Sequence, residues 1–286
     1  MLKVENLCKK YPNFELKDVS FEIPKGYIVG FIGMNGAGKS TTLKSVLNIT
    51  KPDSGKVTFM GEDISANESE IKNEISLTFG AFDYYSRTKL KKIADVYKRF
   101  YKNWNDDVYK NYIRKFNLDE EKKVFELSAG MKVKFALTLA LSHDAKLFIF
   151  DEPTSGLDPI ARDEMLDIFQ GIIESGEKSL LFSTHITSDL DKCADYILFI
   201  KNGKIILNLT KDEILESHML VSGKKDDLTE DFKSRLISYK INSFGFKGLI
   251  KNDKLKASDI CEREKPNLED IMIFYNKEKD NEGDII

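Results

Sequence analysis

Cysteine is scarce in this chain: Cys8, Cys193 and Cys261 lie far apart, odd in number and without metal-ligand spacing. That speaks against a disulfide framework and suits a reduced, cytoplasmic protein. Long apolar runs are missing too. The most hydrophobic stretches, "LFIF" and "YILFI", are strand-length, far below the ~20 residues needed to cross a bilayer. If the protein works at a membrane, another chain must supply the span. Nor is there a surplus of one charge sign: 44 Lys and Arg stand against 47 Asp and Glu. No basic footprint therefore argues for nucleic acid as a partner. The opening stretch alternates and carries charges, unlike a secretory signal, and no internal repeat is visible.

What is present divides by texture. With 286 residues there is room for one large domain and a smaller one. Residues 1–30 carry short strand-like alternations, and "GYIVGFIG" reads as a buried strand running into a glycine-rich loop. "STTLKSVLNI" then has helical spacing, and "KPDSGKVTFMGEDI" reads as a loop, a strand and a glycine turn. From about 83 to 143 aromatics and aliphatics recur at three and four residues, which predicts a helical insertion. Strands and helices alternate again after it, in "KLFIFDEP", "MLDIFQGIIES" and "SLLFSTH", and "YILFIKNGKIILN" reads as a hairpin on Asn202-Gly203. The expected fold class is α/β, with an insertion interrupting the core. Beyond about 213 a strand "HMLVSG", helices "LTEDFKSRL" and "NLEDIMIFYN" and intervening strands suggest a small α+β domain over 213–286, with a frayed end.

The strongest chemistry sits at Gly33, Met34, Asn35, Gly36, Ala37, Gly38, Lys39, Ser40 and Thr41. This glycine loop follows a strand and opens a helix, the context in which successive backbone N–H groups turn inward around phosphate oxygens. The helix N-terminus adds partial positive charge. Lys39 would reach the β- and γ-phosphates, and Ser40 would ligate Mg²⁺. The loop predicts binding of a nucleoside triphosphate. In "LFIFDEP" two carboxylates end a buried strand on the edge where α/β sheets hold ligands. Asp151 suits a magnesium role and Glu152 the base that polarises water. The pair could alternatively cap the next helix. "SGLD" ends in Asp158 before a proline, a turn-and-cap sequence. "STHI" puts His185 at another strand end, as a site residue or a satisfied structural one. Tyr11, in "KKYPN", is an exposed aromatic that could stack on a base or serve as a hydrophobic staple. Finally "LSAGM" (127–131) places Ser128 and Gly130 in front of an apolar helix, as a cap or as a second anion-binding helix start.

In this order, the phosphate loop, "LSAGM", "LFIFDEP", "SGLD" and "STH" resemble the ATP-binding subunit of an ABC transporter over roughly residues 1–212. The resemblance implies a P-loop NTPase (RecA-like) core with an antiparallel β-subdomain. It implies that Tyr11 stacks on adenine and that residues 36–41 hold the phosphates of ATP. It further implies Ser40 and Asp151 for Mg²⁺, Glu152 as catalytic base, His185 as γ-phosphate sensor and Asp158 at a subunit interface. Two such subunits close head to tail, the Ser128 and Gly130 of one sealing the nucleotide of the other. Details of "GMNGAGKST" and "LSAGMKVKFALTLALSHDAKLFIFDEPTSGLD" look most like a Gram-positive subgroup. Its members pair with separate ABC-2-type membrane subunits and include exporters of bacitracin-like antibiotics and phenol-soluble modulins. Such a subunit sits on the inner face of the membrane through its partner, with the helical insertion as docking surface and substrate choice left to the membrane chain. The alternatives are import, movement of lipid or polysaccharide, or a soluble ABC-type regulatory ATPase. A ribosomal ATPase would carry two cassettes, and a DNA-repair ATPase a long heptad insertion. A regulator with degraded catalysis fits poorly with Lys39, Asp151, Glu152 and His185 all in place. The pattern departs in three places: Gly80 stands where a glutamine is usual, with Asp83 the nearest polar residue; Ala129 replaces a glycine; and Met131 replaces a glutamine.

Overall fold

The computed structural model describes residues 1–79 and 85–277. The chain divides into two compact units, Met1–Asn208 and a second that begins at Leu209. The expected position of this boundary was 212/213.

In the first unit, β1 (Leu2–Tyr11) and β2 (Phe14–Ile23) form an antiparallel hairpin. After β3 (Ile28–Ile32) and α1 (Lys39–Val46) the chain returns as β4 (Ser54–Phe59) and β5 (Glu62–Asp63), giving an antiparallel sheet of order β2-β1-β4-β5. The helix α2 (Glu68–Asn73) leads to β6 (Ile75–Phe79). The expected helical insertion contains α3 (Leu90–Phe100), α4 (Asp106–Lys115) and α5 (Ala129–Leu141). Asn105 starts α4 by accepting the N–H groups of Asp107 and Val108, as a capping side chain does. Seven residues of α5, from Val133 to Ala140, are buried, which explains why its sequence is apolar nearly all round.

The core then resumes with β7 (Leu147–Asp151), α6 (Pro159–Ile173), β8 (Ser179–Thr184), α7 (Thr187–Cys193), β9 (Tyr196–Lys201) and β10 (Lys204–Thr210). These build a six-stranded sheet of order β10-β9-β3-β8-β7-β6. Strands β3, β6, β7, β8 and β9 run parallel, so their carboxyl ends share one edge. All residues of β3, β7 and β8 are buried, as strands covered on both faces must be. Helix α1 lies between the two sheets: Leu43 and Val46 join Leu7 and Leu16 on one side and Phe31, Ile149 and Leu181 on the other in a single apolar cluster.

The β9–β10 hairpin turns on Asn202 and Gly203 with φ of 49° and 74°, the backbone that a two-residue hairpin demands. Gly203 has a second task. Its N–H donates to Ala37 O at 2.9 Å and its carbonyl accepts the Lys17 N–H at 2.9 Å. The hairpin tip thus ties the phosphate loop to the antiparallel sheet.

In the second unit, α8 (Lys211–Ser217) opens on a capping box of Thr210 and Glu213, a helix absent from the sequence-based expectation. It is followed by β11 (His218–Gly223), α9 (Glu230–Arg235), β12 (Ser238–Asn242), β13 (Gly245–Lys251), β14 (Glu262–Glu264) and α10 (Leu268–Asn276). Its sheet, of order β12-β13-β11-β14, is antiparallel and carries its own core of Val221, Leu228, Phe232, Leu236, Phe246 and Ile250. Arg235 donates to both oxygens of Asp259 and to Asp231, pinning the segment before β14 onto α9.

A methyl group at Gly203 would sit 1.9 Å from Glu15 O on a backbone with positive φ. Gly203→Ala is therefore expected to cost about 3 kcal/mol through forced left-handed geometry and overpacking. A thermal melt of the full chain should show a Tm lower by roughly 6–12 °C.

Candidate functional site

The buried strand β3 delivers the chain into the glycine loop at the carboxyl edge of the parallel sheet. Gly36 and Gly38 both have positive φ, 79° and 117°, so the loop's curl is one that other residues resist. At Gly38 a Cβ would also lie 2.7 Å from the ring of Phe14. Helix α1 starts at Lys39 without any side-chain cap, leaving its first N–H groups for a ligand. Lys39 is 6% exposed, and its ammonium donates to Gly33 O at 2.7 Å and Met34 O at 3.5 Å. Its third neighbour is Glu152, whose Oε1 lies 3.1 Å away, in ion-pair range.

An open cavity of about 550 Å³ lies against this loop, lined by Met34, Asn35, Gly36, Gly38, Lys39, Ser40 and Thr41 together with Tyr11 and Glu152. Tyr11 is exposed at the end of β1, with the Lys9 ammonium 5.8 Å from its ring centre. The phosphate loop, the aromatic and the carboxylate therefore share one cavity, although they come from distant parts of the chain.

Strand β7 ends at Asp151, and the next residue, Glu152, takes a left-handed backbone with φ of 51°. Such a conformation costs an ordinary side chain on the order of 1–3 kcal/mol and needs anchoring. The Glu152 N–H donates to Ser183 Oγ at 2.9 Å and to Ser183 O at 3.2 Å. The Glu152 carboxylate reaches Lys39 through Oε1 and lies 2.8 Å from His185 Nδ1 through Oε2. His185 follows β8 and stays half exposed, engaging Glu152 through Nδ1. Buried Asp151 accepts a hydrogen bond from the Ser183 hydroxyl. The two carboxylates are thus held in different directions, and neither caps the helix that follows. That cap is Asp158, which accepts from Ile160 N and Ala161 N at 3.0 Å at the start of α6. The Ala161 N–H and then the Ile160 N–H hold the Asp158 carboxyl below its usual range.

Ser128 and Gly130 form a separate place. The Ser128 hydroxyl accepts the Met131 N–H at 3.3 Å as the N-cap of α5. Gly130 has neither positive φ nor a close neighbour: a Cβ there would meet only Leu157, at 3.6 Å. The same contact puts this helix start beside the "SGLD" turn. Neither Ser128 nor Gly130 lines the phosphate cavity.

Sequence reasoning missed what braces these groups. Asp189, fully buried in α7, accepts Thr154 Oγ1 at 2.7 Å and Thr184 Oγ1 at 3.3 Å and pairs with Arg162 of α6, which also donates to Ser188. One carboxylate therefore joins the turn after Glu152, the strand end before His185 and the helix capped by Asp158. Ser183 was missed as well, and only strand register could have found it, since β7 and β8 pair Asp151 with Ser183. Gly80 and Asp83, the candidates for the place of the missing glutamine, lie outside the described residues. The strand leading to them, β6, places Phe79 opposite Asp151.

No group of three or more His, Cys, Asp or Glu side chains capable of holding a metal occurs among the described residues. A hydroxyl and one carboxylate, Ser40 and Asp151, are hard oxygen donors of the kind Mg²⁺ shares with nucleotide phosphates rather than a complete protein cage. Ser40 lines the phosphate cavity and Asp151 ends β7, and the chemistry of these two donors fits that ion.

The family model described as ABC transporter matches residues 16–155. Among curated proteins, the bacitracin transport ATP-binding protein BcrA of Bacillus licheniformis is 31% identical, over 75% of this chain and 71% of that one. The lantibiotic transport ATP-binding protein SrtF of Streptococcus pyogenes is 32% identical, over 74% of this chain and 92% of that one. Among solved structures, an ATP-binding subunit of an ABC transporter superposes with a TM-score of 0.67 at 26% identity, covering 75% of this chain and 91% of that chain. A dimeric ATP-binding cassette with ADP and Pi shares the fold, with a TM-score of 0.65 at 20% identity over 73% of this chain and 98% of that one. Phosphate loop, acidic strand end and these likenesses agree: the chain belongs to the ABC transporter family as an ATP-binding, ATP-hydrolysing subunit.

Proposed function

We propose that this chain powers an ABC-2-type exporter of a peptide or antibiotic-like substrate, pairing with a second ATP-binding subunit and with a separate membrane subunit. The observation that carries the hydrolytic part is Glu152, held between Lys39 at 3.1 Å and His185 at 2.8 Å on the wall of the phosphate cavity. ATP would enter with its adenine against Tyr11 and its phosphates on the loop from Gly33 to Thr41. Its γ-phosphate would draw the Lys39 ammonium away from Glu152, freeing that carboxylate to accept a proton from the attacking water. His185, hydrogen-bonded to Glu152 through Nδ1, would present Nε2 to the γ-phosphate. Magnesium, held by Ser40 and Asp151, would supply charge neutralisation at the β- and γ-oxygens.

Gly130 supports the paired state. In its own subunit nothing requires glycine there: its φ is not positive, and a Cβ would meet only Leu157, at 3.6 Å. Close approach by a second subunit's nucleotide would require it, with Ser128 donating to the γ-phosphate and Asp158 beside it at the interface. No helix among the described residues is long and apolar enough to cross a membrane. A membrane subunit would therefore provide the pathway and hold this chain at the inner face. The likeness to proteins named for bacitracin and lantibiotic transport supports a peptide cargo.

Glu152→Gln should keep ATP binding while turnover falls by roughly 10²–10⁴-fold, the usual worth of a positioned base. Near wild-type hydrolysis would remove Glu152 from that role. Gly130→Ala should leave the thermal melt of the isolated chain unchanged and reduce ATP-dependent dimerisation at least tenfold, about 1.4 kcal/mol. An unaltered dimer would sink the clamp reading. Ala129→Gly should strengthen the same dimer, as measured by sedimentation. For cargo, a strain deleted for this gene should become more susceptible to bacitracin-like or lantibiotic peptides, and wild type but not Glu152→Gln should restore it. Unchanged susceptibility to every peptide tried would speak against peptide export.

A further inference from the structure

We propose that Ser183 is a positioning residue for hydrolysis, its single hydroxyl setting the directions of Asp151 and Glu152 together. This rests on the reading of Glu152 as the base.

Ser183 is fully buried near the end of β8, between strands β3 and β7, with Phe31 and Asp151 as its register partners. The three residues before it in the strand, Leu180, Leu181 and Phe182, are apolar and buried without exposure. A packing role there would be filled by alanine or valine; a hydroxyl in such a place must find partners. It has two. The Ser183 Oγ–H donates to Asp151 Oδ1, and a lone pair on the same oxygen accepts the Glu152 N–H at 2.9 Å. The hydrogen-bond directions cannot reverse. A carboxylate only accepts, a backbone N–H only donates, and a hydroxyl carries one proton, so each group has one arrangement.

The backbone of Glu152 makes this bond consequential. With φ of 51°, Glu152 occupies a conformation it would leave if unanchored. Of the two acceptors holding its N–H, the Ser183 hydroxyl lies closer, 2.9 against 3.2 Å for the Ser183 carbonyl. Without the hydroxyl only the longer bond to the Ser183 carbonyl holds the peptide, which can relax and shift the side chain from the position where it meets both Lys39 and His185. Asp151 loses its orienting donor in the same substitution. Ser183 has no exposed surface, so it acts through the two carboxylates it holds.

The test uses the full chain with Ser183→Ala, Ser183→Thr, Ser183→Val and Glu152→Gln, alone and with Ser183→Val. Thr and Val share a shape and differ in the hydroxyl, so any loss from overpacking is common to both. Each variant is checked by thermal melting and by the Kd for a fluorescent ATP analogue. Ser183→Ala and Ser183→Val should lower kcat by roughly 10–100-fold, the scale of a slightly misplaced catalytic group, with KM and Kd within about threefold of wild type. Ser183→Thr should retain most of the rate relative to Val. Adding Ser183→Val to Glu152→Gln should cost less than tenfold further rate, the part that runs through Asp151, since the part that runs through Glu152 is already lost. Equal rates for Thr and Val, or Ser183→Ala within twofold of wild type in kcat, would overturn the assignment. Turnover by Glu152→Gln near the wild-type rate would instead defeat the base reading, and with it the positioning role of Ser183.

Discussion

A lysine ammonium that is 6% exposed obliges its surroundings to supply acceptors, and at Lys39 this obligation organises the site. An unpaired buried charge is among the most costly features a fold can hold. Here two carbonyls of the phosphate loop and the carboxylate of Glu152 answer it. The loop must therefore curl back over its own lysine, which the positive φ of Gly36 and Gly38 allows. Glu152 must turn toward the same point, which its left-handed backbone and Ser183 achieve. Loop and acidic strand end are thus one electrostatic unit.

Much of this was legible because a phosphate loop is written in contiguous residues. The neighbours from Gly33 to Thr41 carry strand end, glycine turn and helix start, and the structure has each of them. The acidic pair was legible for a similar reason, since a run of apolar residues announces β7 and places Asp151 at its end. Ser183 and Asp189 were not legible, because their meaning lies in register and packing. Asp189 sits in "TSDLDKC", whose polar and charged composition does not mark a core residue, yet it is buried and braces three segments. Gly203 was seen as a hairpin turn, whereas its bonds to Ala37 and Lys17 depend on a sheet formed by distant residues. The helix α8 was missed because its apolar content is slight, only Ile214 being buried.

The two glycine-bearing helix starts differ in what enforces them. Gly36 and Gly38 are demanded by their own chain, through φ and through the nearness of Phe14. Gly130 is demanded by nothing within it. A residue whose choice is unexplained inside the molecule points outward, and here it sits beside Leu157 in the turn that ends at Asp158. Under the proposed pairing, the cavity at the phosphate loop and the exposed start of α5 would be complementary halves of one arrangement completed by two subunits.

The brace at Asp189 has a consequence for how such a protein changes over generations. Arg162 and Asp189 neutralise each other where Asp189 has no access to water. Loss of Arg162 alone strands the Asp189 charge in an interior that cannot solvate it, and loss of Asp189 alone leaves the buried hydroxyls of Thr154 and Thr184 without that acceptor. Neither position is therefore free to drift by single steps: a lineage that alters one must pass through a weakened intermediate or alter both. The turn after Glu152 and the strand end before His185 hang on that same carboxylate. The surface of the second unit is open to gradual substitution, whereas this part of the first is held in a locked combination.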